Sequence, residues 1–259
     1  MRLIGTAASG IRAQQVAMDT IGNNMANVNT PGFKANQMDF AEALTTEVRS
    51  ANTKYAAGTA FGVGAGVVYN ASGVNFQQGN LATTDNPLDL GIEGSGFFQV
   101  RTPDGTTAYT RVGAFKVDGS GQLTDQQGNV VQPSIMVPSD AKDLSVTLDG
   151  EIKGVVDGVG MLFGQISLVG FQNPEGLQQS GNNLFVPTAN SGVPQIGQPG
   201  STVGDQVLGT IKGQSLEQSN VDLTTSMTDL MQVQRAYQMN ARLVQDGDQM
   251  WGIANSLRR

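Results

Sequence analysis

The residues that could do chemistry in this chain are few, and their spacing argues against a reaction. The sequence contains no His and no Cys. That removes the common zinc sets, thiol nucleophiles, Ser-His-Asp triads and disulfides. Carboxylates, Lys and Tyr remain as possible catalytic groups. Two glycine-rich stretches, Gly62-Val63-Gly64-Ala65-Gly66 and Gly91-Ile92-Glu93-Gly94-Ser95-Gly96, invite comparison with loops that cradle phosphate. Neither has the third glycine in register or a following Gly-Lys-Ser/Thr, so neither predicts a nucleotide site. Asp85, Asp89 and Glu93 stand four apart, but Pro87 and the flanking glycines preclude a continuous helix that would align them as ligands. Asn70-Ala71-Ser72 fits the glycosylation triplet, a pattern frequent by chance. Trp251 and Tyr237 sit at helical spacings and are expected as buried packing residues rather than stacking platforms. No cofactor or metal is expected, and no reaction class is supported.

Charge points the same way. Only 14% of residues are charged and the net charge is -7, which argues against nucleic acid as a partner. No run approaches the ~20 apolar residues of a membrane span, so membrane insertion is not expected. Arg12, Gln14 and Gln15 interrupt the N-terminal apolar residues, so any export is expected to proceed without a cleaved signal peptide. The 34 glycines and the many Asn and Gln residues describe a turn-rich protein with neutral polar surface, suited to packing against copies of itself.

These residues must be positioned by two helical ends around a β middle. Ile4, Ala7, Ile11, Gln14, Met18, Ile21, Met25 and Val28 follow at spacings of three and four, one face of a helix with few charges opposite. Pro31 and Gly32 stop that helix by Thr30. At the other end Ser219 or Asn220 is the expected N-cap, with Asp222 in the first turn. Leu223, Met227, Leu230, Gln234, Tyr237, Ala241 and Val244 then continue the spacing, and Met239, Leu243, Met250, Ile253 and Leu257 form a second stripe. Between the ends, Asp104-Gly105, Asp118-Gly119 and Asp149-Gly150 punctuate apolar stretches as antiparallel hairpins.

The expected class is α+β. Residues 1–30 with 220–259 pair as a coiled-coil domain, 31–90 with 187–219 form an extended or β connecting region, and 91–186 form an antiparallel β domain. The stretch from Leu44 to Val68 has little periodicity. It is expected to take its order from neighbouring subunits and to influence how stiff an assembly is, against the plainer alternative of a solvated loop.

Three segments carry a resemblance. The first runs Ile21-Gly22-Asn23-Asn24-Met25-Ala26-Asn27-Val28-Asn29-Thr30-Pro31-Gly32-Phe33-Lys34. The second includes Gly79-Asn80-Leu81, Gly96-Phe97-Phe98 and Tyr109-Thr110-Arg111. The third joins Glu217-Gln218-Ser219-Asn220-Val221 to Gln232-Val233-Gln234-Arg235-Ala236-Tyr237. Together and in order they resemble the flagellar rod and hook family of bacterial axial proteins. Length and the Gln-Val-Gln-Arg-Ala-Tyr run are most similar to distal rod subunits, since typical hook proteins carry an added outer domain.

The resemblance implies a structural rod subunit that self-assembles into a hollow helical tube, transmits torque from motor to hook, and resides in the flagellar basal body. Its implied partners are copies of itself, proximal rod and hook proteins, and the flagellar export apparatus. Ile4, Ile11, Met18, Ile21, Met25, Val28, Leu223, Met227, Leu230, Tyr237, Val244 and Trp251 are the expected assembly interface. A short hook protein, a proximal rod subunit and a surface binding module of the adhesin type are the alternatives.

Overall fold

A computed structural model of the protein describes residues 2–43, 46–47, 62–204 and 206–257. The chain divides into two compact units. One comprises residues 1–26, 36–72 and 222–259, and the other 27–35 and 73–221.

The first unit holds both helices. Helix α1 spans Arg2–Ala26 and is rich in alanine, the strongest helix former. It ends four residues before Thr30, where Asn27 to Thr30 turn and the Thr30 amide bonds the Asn27 carbonyl at 3.1 Å. Helix α2 spans Leu223–Ser256. Its cap is Asp222, not Ser219 or Asn220: the Asp222 carboxylate accepts from the amides of Thr224 at 2.8 Å and Thr225 at 3.4 Å. The two helices pack on one another.

Beside them, Asn36–Glu42 pairs with Val67–Val74, and Thr46–Glu47 pairs antiparallel with Gly62–Val63. This part of the expected extended or β connecting region is thus a two-stranded ribbon where it is described. Residues 44–45 and 48–61, most of Leu44–Val68, lie outside the described residues, as do the side chains of Asn70 to Ser72.

The second unit is β throughout except for one turn of 3-10 helix at Pro174–Gly176. Phe97–Arg101 is its central strand, pairing antiparallel with Thr107–Thr110, Val130–Gln132 and Leu168–Gly170. The expected hairpins form: Asp104-Gly105 lies between the first two of these strands, and Asp149-Gly150 joins Lys142–Val146 to Glu151–Val156. The stretch 159–170 forms two strands, Val159–Gln165 and Leu168–Gly170, divided at Ile166, which is fully buried.

Because side chains alternate across a strand, Phe97 and Phe98 feed different cores. Phe98 joins Leu90, Ile92, Leu123, Ile152 and Leu168. Phe97 joins Tyr109, Phe171 and Phe185 in an aromatic set of edge-to-face pairs, with ring centroids 4.9 to 6.1 Å apart. Both faces of the central strand are therefore covered.

Candidate functional site: a motif clasp and two helix faces

The motif residues converge in the β unit on a buried ion cluster. Lys34 Nζ lies 2.6 Å from Glu217 Oε1 and donates to the Gln77 carbonyl at 2.7 Å. The same carboxylate oxygen accepts from the Gly79 amide at 2.8 Å, and the Glu217 carbonyl accepts from the Gly32 amide at 2.7 Å. Arg111 Nη1 stands 3.6 Å from Glu217 Oε2, its Nη2 donates to the Gly94 carbonyl, and its guanidinium lies over the Phe97 ring.

Two cations thus share one carboxylate, and all three side chains are buried. Burial holds the Lys34 ammonium below its usual range, with the Arg111 charge adding to that and the Glu217 carboxylate opposing it. The Arg111 guanidinium is lowered for the same reason and is likewise opposed by Glu217.

Asn220 completes the clasp. Its Oδ1 accepts from the Ala35 amide at 2.8 Å, and its Nδ2 donates to the carbonyls of Asn75 and Gln77. Chain that follows α1, chain that precedes α2 and the stretch 75–80 are tied by three side chains. The close approach excludes larger residues: a Cβ on Gly79 would stand well inside contact distance of the Gln218 carbonyl oxygen. Gly32, at φ +67, would bring its Cβ 2.8 Å from a Val112 methyl.

The clasp gathers Gly32, Lys34, Gly79, Asn80 and Asn220, with Phe33 buried alongside. Leu81 pairs with Glu217 across two short strands, and Ser219 Oγ accepts from the Val221 amide. Gly96, Phe97 and Phe98 belong to the β core. Asn24 works elsewhere, in the helical unit, where its amide exchanges two hydrogen bonds with the Asn36 backbone. Asn27 accepts from the Thr30 hydroxyl, Asn29 is exposed, and Gln234 and Arg235 lie on the exposed side of α2 while Tyr237 is half-buried. The site assignment omitted Glu217 and Arg111. Their signal was present: ionisable residues inside recognised segments of a charge-poor chain.

The helix faces differ in side-chain size. On α1 the buried residues are Ala7, Ala13, Ala17 and Asn24, whereas Ile4, Ile11, Met18, Ile21 and Met25 are half-buried; Val28 lies beyond the helix. Gly10 allows close approach of the partner helix, since a Cβ there would meet the Asn240 amide nitrogen at 2.8 Å. On α2, Leu230, Tyr237, Ala241 and Val244 are half-buried, and Leu223 and Met227 are exposed.

The second stripe is exposed along its length, Met250 at 67% and Leu257 at 82%. Trp251, expected to be buried, is 53% exposed. The reason is geometric: α2 has 34 residues and α1 has 25, so part of α2 outruns its partner.

Among the described residues no cluster of acidic side chains could hold a metal, and no helix is long and apolar enough to cross a membrane. Asp89 of the acidic trio instead accepts from the Asn86 side chain.

Comparison with known proteins decides what this arrangement belongs to. Family models match over three stretches: flagella basal body rod protein over 4–34, flagellar hook protein FlgE/F/G D1 domain over 91–154, and flagellar basal body rod FlgEFG protein C-terminal over 212–257. The chain is 39% identical to the flagellar basal-body rod protein FlgG of Borreliella burgdorferi, over 100% of this chain and 99% of that one. It is 37% identical to FlgG of Caulobacter vibrioides and 34% to FlgG of Bacillus subtilis, each covering both chains completely. The chain belongs to the flagellar basal-body rod protein family. Two of the three matched stretches of this rod protein, 4–34 and 212–257, contain its helices and both sides of the Lys34–Glu217 pair.

Proposed function

We propose that this rod protein is the structural subunit of the distal flagellar rod, self-assembling through its terminal helices into a hollow, coiled-coil-lined shaft that carries torque from motor to hook. The observation that carries this reading is the exposed apolar stripe of α2, Met239, Leu243, Met250, Ile253 and Leu257. An apolar helix face left in water is a surface awaiting a partner. The predicted interface residues on α1 and α2 supply the seam between copies, and the clasp fastens the chain that follows α1 to the chain that precedes α2.

Copies related by a head-to-tail contact grow into an open filament when the rotation between them does not close a ring, which is what a shaft requires. Proximal rod and hook proteins meet the two ends of the tube, and the subunit reaches the basal body through the flagellar export apparatus. In this role the protein needs no catalytic site. Electron microscopy of the concentrated protein tests the proposal. Straight tubes are expected, curved tubes would assign a hook subunit, and persistent monomers would overturn self-assembly.

A further inference from the structure

Within the helical unit, α1, α2 and the ribbon border an open cleft of about 540 Å³. Its lining is short: Gly10, Ala13, Gly64 and Gly66 contribute at most one carbon each, with Phe40 and Val67 beside them. Mature interfaces pack with few voids larger than a water molecule, so within an assembled interface a groove of this size is one that a side chain of the neighbouring copy fills. Gln14 and Asn240 also face it, so its wall is apolar with side-chain amides at hand.

We propose that this cleft receives the indole of Trp251 from a second copy of the chain, a contact that rests on the self-assembly reading above. Three observations select that occupant. Trp251 is the sole tryptophan and leaves half its surface in water. An indole suits the lining: its flat ring packs on the glycine and alanine backbone, and its N–H finds a carbonyl acceptor in Gln14 or Asn240.

Finally, Trp251 cannot enter the cleft of its own chain. It lies eleven residues beyond Asn240 on one continuous helix, about 16 Å along the axis at 1.5 Å per residue. Knob and cleft therefore occupy different places on the same chain. In the proposed shaft their union is heterologous, repeating from copy to copy along an open helix because the rotation between copies does not close a ring.

The single tryptophan and the absence of cysteine make a direct test possible. A Trp251→Phe, Phe40→Cys chain is labelled with bimane at the rim of the cleft, where Phe40 is exposed. Bimane is quenched by tryptophan in near contact and more weakly by tyrosine, so the chain lacking Trp251 sets the tyrosine background. The labelled chain is assembled with an excess of unlabelled wild-type protein. Bimane emission is expected to fall at least twofold on assembly, and to hold steady when the excess chain is Trp251→Phe. In parallel, Trp251→Ala is expected to raise the critical concentration for tube formation about tenfold, as loss of an aromatic anchor does. Tubes that form with unchanged bimane emission overturn the docking while leaving the rod assignment intact. Failure of the wild-type protein to form tubes overturns both.

Discussion

The two units bury their apolar residues in opposite ways. In the β unit, Leu90, Ile92, Phe98, Val100, Ile152 and Leu168 are fully enclosed, and even the charges of Lys34 and Glu217 are paired internally, although Glu217 Oε2 accepts no hydrogen bond. In the helical unit the residues enclosed on α1 are mostly alanines, while Met, Leu, Ile and Trp side chains of α2 face solvent. Stabilisation from burial scales with apolar area, so three alanines return a fraction of what three phenylalanines do. One unit is finished by its own chain. The other leaves its large apolar side chains in solvent, where the proposed neighbouring copies would cover them.

The harshest way to break this contrast is to strike the β unit where it is self-sufficient. Glu217→Ala leaves Lys34 and Arg111 buried without a counter-charge. It is expected to cost about 3–5 kcal/mol in urea unfolding of the monomer. A loss under about 1 kcal/mol would mean that the clasp contributes little to stability.

The contrast sharpens in a matched pair of truncations. Phe98→Ala is expected to cost about 3–5 kcal/mol in the same measurement, from lost transfer energy and the cavity left behind. Met250→Ala is expected to stay within about 0.5 kcal/mol in the monomer, as an exposed position does, yet to weaken assembled tubes. Equal monomer losses at the two sites would erase the distinction.

Ile21→Asp or Leu230→Asp should place a carboxylate in the proposed seam between copies. Sedimentation is expected to show monomers at concentrations where the wild type forms tubes, while proteolysis still yields a stable β fragment. The same contrast predicts that α1 and α2 exchange amide protons faster than the 97–101 strand in dilute protein, and slow down on assembly.

The smallest effect concerns the cap of α2. The Thr225 hydroxyl, then the amides of Thr224 and Thr225, hold the Asp222 carboxyl below its ordinary value. A lowered folded pKa gives stability that is present above the unfolded value, near 3.9, and is lost as pH falls through the folded one. Acid titration by circular dichroism should show the first turn of α2 loosening below that range, and Asp222→Asn should remove this component.

Much of this organisation was legible in sequence, and what was not has physical causes. The hairpins at Asp104-Gly105 and Asp149-Gly150 and the helix ended by Asn27 to Pro31 are local events, written in adjacent residues. The cap of α2 was misplaced because Asn220, a good cap by type, commits both ends of its amide to the clasp. The ribbon showed no period because its described strands are mostly exposed, so nothing imposes alternation on its residues. Lys34 and Glu217 are separated by 183 residues, and no local pattern can announce such a pair. Trp251 looked like a core residue because spacing records the face of a helix and not the length of its partner.

The placement of α1 and α2 at opposite ends of the chain carries a further consequence for biosynthesis. Their pairing closes a loop of roughly 200 residues, a search whose entropic cost grows only as the logarithm of length, so it is slow to find but not prohibitive. Glu217 reaches Lys34 on the same schedule. A product of interrupted translation therefore carries α1 without its companion helix and a lysine without its carboxylate. Such a fragment has neither the helix pair nor the Lys34–Glu217 pair. Only a chain translated through Glu217 and α2 forms both pairings.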